Sequence, residues 1–106
     1  MSHQIPSDAA RLIERARVLA DEMASAARYG VPIPAHVSLS NHQFGRTSWH
    51  CLDDRGLFDA WVEYADATVR EYDHDGKHVS TATADCDGLL IEFSMHAPIA
   101  ALAVVQ

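Results

Sequence analysis

From Ser7 to Arg28, apolar side chains return every three or four positions: Leu12, Ala16, Leu19, Met23 and Ala27, with Ile13 and Ala20 widening the stripe. That period is one face of an α-helix. Ser7 is suited to cap its start. Asp8 falls in the first turn, where the helix dipole favours a negative charge. Arg28 falls in the last turn, and Gly30 follows as a natural left-handed residue past the end. Pro32 and Pro34 stop the helix and impose extended chain.

The pattern then changes to alternation. From His36 to Phe44, Val37 and Leu39 share one side, while His36, Ser38, Ser40 and His42 share the other, as in a half-buried strand. Gly45-Arg46, read as a two-residue turn, sends Thr47 to Leu52 back as a second strand. Leu39 then opposes Leu52 on the buried side. His42 opposes Trp49, and Ser40 opposes Cys51, on the other. The register rests on that turn alone, and an odd slip exchanges the faces.

Asp53 or Asp54 caps a second helix that runs to about Asp66. Its apolar stripe is Leu57, Phe58, Trp61, Val62 and Ala65, and its wet side is Asp59, Glu63 and Asp66. Thr68 to Asp73, His78 to Asp85 and Leu89 to His96 read as three strands, joined by the hairpin turns Asp75-Gly76 and Asp87-Gly88. Counting back from the second turn sets Cys86, Ala84, Ala82 and Ser80 opposite Leu89, Ile91, Phe93 and Met95. Small residues facing large ones suit a surface covered by helices. The opposite face carries Val79, Thr81, Thr83 and Asp85 beside Leu90, Glu92, Ser94 and His96, joined by Arg70 and Tyr72.

The order α-β-β-α-β-β-β predicts one α+β domain over residues 1–106, with two helices packed on one face of a five-stranded, mostly antiparallel sheet. Residues 1–6 and the apolar stretch 97–106 are expected to be flexible or partner-contacting tails. Val37-Ser38-Leu39-Ser40, Phe58-Asp59-Ala60-Trp61, His78-Val79 and Cys86-Asp87-Gly88-Leu89 in this layout resemble small uncharacterised proteins of actinobacteria, their phages and integrative elements. The resemblance implies a helix-covered sheet and a mobile-element setting. It transfers no activity and no catalytic residue.

Composition narrows the classes. At 106 residues the chain suffices for one core and is too short for two. A net charge of −7 with eight scattered Lys and Arg argues against a nucleic-acid surface, which needs clustered cations. No apolar run is long enough to span a bilayer, and the N-terminus has no secretory pattern. Two cysteines, Cys51 and Cys86, fit free thiols in a reducing compartment, so a cytoplasmic location is expected.

Candidate chemistry is sparse. His74-x3-His78 has zinc-ligand spacing, with His50, Cys51, Cys86 and His96 elsewhere. It lies across a hairpin turn and lacks a second paired motif. Asp73-His74-Asp75-Gly76 resembles the start of a calcium loop, but Ala82 falls where the closing Glu belongs. Cys51 adjoins His50, though neighbours on a strand face apart, leaving His36 or His42 as a base on the thiol's side. Asp53-Asp54 and Asp85 with Asp87 suit caps and turns better than acid–base pairs. No cofactor, metal or catalytic set is predicted.

The uncovered face stands out. It is expected to present His36, His42, Trp49, Arg70, Tyr72, Val79, Thr81, Leu90 and Glu92, a mixture suited to binding another protein. The reading favoured on these grounds is a non-enzymatic interaction module, paired with a second copy through that face or a sheet edge, or bound to another protein. Two alternatives are a small metal-dependent or thiol enzyme using His42, His50, Cys51, His78 or Cys86, and an acidic inhibitor of a basic nucleic-acid enzyme.

Overall fold

The computed structural model describes residues 7–41, 45–51 and 54–99. It is an α+β fold with elements α1 (Ser7–Arg28), β1 (Ser38–Leu39), β2 (Thr47–His50), α2 (Arg55–Ala65), β3 (Thr68–His74), β4 (Lys77–Cys86) and β5 (Leu89–Pro98). The strands form one sheet in the order β1-β2-β5-β4-β3. All pairings are antiparallel except β2 with β5, which run parallel. Hairpins can join only antiparallel neighbours, and a parallel pair needs a crossover. Here α2 and the β3–β4 hairpin lie between β2 and β5 along the chain.

Both helices end as the sequence requires. After α1, Gly30 adopts φ +78°, its N–H reaches Ala27 O at 3.1 Å, and Val31 N–H reaches Ala26 O at 2.9 Å. Asp54 caps α2 by accepting from Leu57 N–H at 3.0 Å, and Asp66 closes it in the left-handed region at φ 52°. The extended segment after α1 is held down by Trp61, whose indole N–H donates to Pro32 O at 2.7 Å.

The core lies between the helices and one sheet face. Small Ala82 and Ala84 of β4 oppose large Phe93 and Ile91 of β5, and Phe58 and Trp61 of α2 fill the space above them. From α1, Val18, Leu19, Met23 and Ala26 pack on this layer, whereas Leu12 and Ile13 of the expected apolar stripe are exposed. A 22-residue helix is about 33 Å long, so its first turns run past the covered part of the sheet.

Three expectations need correction. The first strand spans two residues, Ser38–Leu39, rather than nine. Gly45-Arg46 does not set the register, since Leu39 pairs with Thr47 and Ser38 with Ser48. The pairing numbers sum to 86 where the two-residue turn demanded 91, and an odd difference turns every β2 side chain over. Trp49 and Cys51 therefore enter the core. Finally, Ala97 and Pro98 continue β5, paired with His78 and Lys77, and are not part of a tail. His42 and Leu52, and the segments 1–6 and 100–106, lie outside the described residues.

Candidate functional site: the open face of the sheet

Side chains alternate across a strand, so the core positions fix the opposite face as well. Three rows cross that face. Ser48, Glu92, Thr83 and Thr68 form one, and His50, Ser94, Thr81 and Arg70 form the next. His96, Val79 and Tyr72 form the third. No described helix covers them, and all but Ser48 line, with Arg46, a concavity of about 640 Å³. That volume falls within the range of ligand-binding clefts, roughly 300–1,000 Å³.

Its polar groups are arranged unequally. Arg46 Nη1 donates to Glu92 Oε2 at 2.6 Å, so these two charges answer each other. His50 Nδ1 and Ser94 Oγ are hydrogen-bonded at 2.8 Å, and the His50 and His96 rings meet edge to face at 5.8 Å. Arg70, at the far side of the floor, is exposed and makes no ion pair among the described residues. Two arginines against one glutamate give this hollow a positive balance on a chain of net charge −7.

The expected site residues divide accordingly. Arg70, Tyr72, Val79, Thr81 and Glu92 line the concavity. Tyr72 is half exposed, but Val79, set between Tyr72 and His96, is only 2% exposed and offers almost no surface. Leu90 is exposed on the same face beside Asp85 and outside the hollow. His36 stands before β1 and lines a separate hollow of about 310 Å³ with Ser38, Ser48 and His50. Trp49 is the clear correction. It lies in the core, 3% exposed, stacked on Phe93 and edge-on to Trp61. Arg46 and His50 are the residues that reasoning from a two-residue turn misses. The alternation Ser48-Trp49-His50-Cys51, polar and apolar by turns, carried the signal that would have found His50.

The described enzyme candidates, His50, Cys51, His78 and Cys86, do not gather into one cluster. Cys51 and Cys86 are buried free thiols, and burial pushes each up to about 11, which leaves little thiolate at neutral pH. His78 is held by Asp73, its Nδ1 donating at 2.8 Å to the carboxylate, and lies on the opposite side of the sheet from His50. Among the described residues no three His, Cys, Asp or Glu side chains converge as metal ligands. His50 and Ser94 touch, but among the described residues no carboxylate orients the imidazole as it does in a serine nucleophile's triad. No described helix is long and apolar enough to cross a membrane. Comparison with protein-family models, with curated proteins and with solved structures finds no match.

Proposed function

We propose that the protein is a non-enzymatic interaction module that binds another protein through the open face of its sheet. The supporting observation is the uncovered concavity, where Arg46, Arg70, His50, His96 and Tyr72 gather on an otherwise acidic chain. Arg and Tyr are the residue types that carry binding energy in protein interfaces, and a positive hollow steers acidic partners toward it. Pairing with a second copy through this face would draw on Trp49, Tyr72, Val79 and Leu90 as exposed side chains, and of these Trp49 and Val79 are buried. With Trp49 in the core, such a dimer loses its largest apolar contact and sets Arg70 of each copy on a face of the same sign.

The test is site-directed photocrosslinking in lysate of the source organism. A benzophenone side chain replaces Tyr72 on the face or, as control, Tyr29 at the end of α1. A discrete heterologous adduct from position 72, absent from position 29 and lost on Thr81→Arg, is the expected result. Adducts of equal yield from both positions, or adducts only between two copies of the chain, overturn the reading.

A further inference from the structure

β3 is an edge strand. It pairs with β4 on one side, and nothing in the described chain pairs with its other side. All seven of its residues, Thr68 to His74, are exposed. In an antiparallel ladder alternate residues turn their N–H and C=O groups away from the partner strand, so β3 offers a row of free backbone donors and acceptors. Its side chains are sorted by face. Arg70 and Tyr72 point to the concavity. Glu71 and Asp73 point to the other side, where Glu71 accepts from Ser80 Oγ at 3.2 Å and Asp73 holds His78.

This charge pattern decides against self-pairing. A two-fold axis normal to the sheet can set β3 against its copy in three registers that pair five or more of its seven residues. Centred on Arg70, Arg70 opposes itself. Centred on Glu71, Glu71 opposes itself. Centred on Tyr72, Glu71 opposes Asp73 twice. Like charges directly opposite each other destabilise a ladder, so every one of these registers is penalised. The same charges favour a different strand, with acidic side chains on the open face and basic ones on the reverse.

We infer that β3 is the docking edge for an extended segment of another protein that adds as a sixth strand, with acidic side chains toward Arg70 and basic side chains toward Glu71 and Asp73. This rests on the interaction-module reading and deepens it, since a strand beside β3 directs its alternate side chains into the mouth of the concavity. Recognition of this type takes affinity from the backbone ladder and specificity from the alternating side chains.

The experiment titrates the isotope-labelled full chain with synthetic nine-residue peptides. One alternates Glu with Lys on a Thr and Val background. A second has the same composition with its acids and bases in separate blocks. A third is the alternating peptide N-methylated at every second residue, which keeps the charges and removes one edge of donors. Binding of the first alone, with slowed hydrogen exchange at β3 amides, is the expected result. Arg70→Glu weakens that binding roughly tenfold, since one favourable cross-strand pair becomes a repulsive one. A peptide alternating Lys with Thr restores affinity to the Arg70→Glu chain. Equal binding of the N-methylated peptide, or no binding of any peptide, overturns strand addition at β3. A heterologous adduct from position 72 alongside either result leaves the open-face reading standing, so the two failures are told apart.

Discussion

Trp49 of β2 lies flat on Phe93 of β5, the ring centres 5.0 Å apart and the planes within 3° of parallel, at positions paired across the parallel junction of the sheet. The junction carries no turn to hold its register. Trp49 also meets Trp61 edge-on, which links the sheet to α2. Trp49→Ala is expected to cost about 3–5 kcal/mol, as for other buried large aromatics, and Trp49→Phe much less. Urea denaturation followed by far-UV circular dichroism measures both. A loss below about 1 kcal/mol for the alanine variant shows that the stack does not hold β2 in place.

That stack marks the boundary of what was legible in the sequence. The β4–β5 hairpin was legible residue by residue, because Asp87-Gly88 leaves a two-residue turn one register, and Ala82 does oppose Phe93. The open-face places of Thr81 and Glu92 follow from the same count, and those of Arg70 and Tyr72 from the Asp75-Gly76 turn. β2 was not legible by that route, because its neighbour β5 is fixed by packing rather than by a connecting turn. Nothing local says that Ser48 stands beside Glu92. A register counted from Gly45-Arg46 therefore puts Trp49 on the wrong face and His50 with it. Cys51, apolar and two residues from Trp49, marked the same side.

Thr47 precedes this stack on the same face, and its Oγ1 is buried without a hydrogen-bond partner among the described residues. A buried hydroxyl left unpaired costs about 1–3 kcal/mol in lost hydration. Valine has nearly the same shape and no such group. Thr47→Val is expected to raise stability by about 1 kcal/mol, measured as a shift in the denaturation midpoint at unchanged slope. Destabilisation of similar size would show that the hydroxyl has a partner in solution.

The turn residue Gly88 tests the hairpin separately. Asp87 and Gly88 take φ of 52° and 83°, both left-handed, and a Cβ built on Gly88 meets nothing within 4 Å. Gly88→Ala therefore adds backbone strain and no collision, with an expected cost of about 1–2 kcal/mol. A D-alanine introduced at the same position by chemical ligation is expected to restore stability. If both enantiomers cost the same, the strain is not one of backbone handedness.

On the β3–β4 hairpin, His78 lies against two carboxylates. Its hydrogen bond to Asp73 is the largest cause that raises its pKa above the ordinary 6.5, with Glu71 adding to it. A raised cationic group stabilises the fold fully below the unfolded value, and that stability is lost as pH rises through the folded one. His78→Gln is expected to remove a stability decrease that sets in above pH 6.5. Nuclear magnetic resonance titration of the imidazole together with thermal melts across that range checks it. A His78 midpoint at or below the ordinary value would contradict the contact.

Glu22 also has a raised pKa, but here the neutral form is the one favoured. It projects from α1 into a hollow of about 470 Å³ shared with Tyr64 of α2 and Asp87 of the β4–β5 turn. Burial is the first cause that raises it above the ordinary 4.5, followed by its hydrogen bond to Asp87 and that residue's charge, while Tyr64 pulls the other way. Two carboxyls in contact are best satisfied with one shared proton. For an acid whose folded pKa is raised, the folded state binds more protons than the unfolded one, so stability falls as pH rises from 4.5 through the folded value. Glutamine imitates the protonated form at every pH. Glu22→Gln is therefore expected to melt higher than the parent chain at pH 7 and to converge with it near pH 4. Thermal melts of both proteins from pH 4 to pH 8 test this. A constant offset between the two curves would assign the gain to packing and remove the proton from the account.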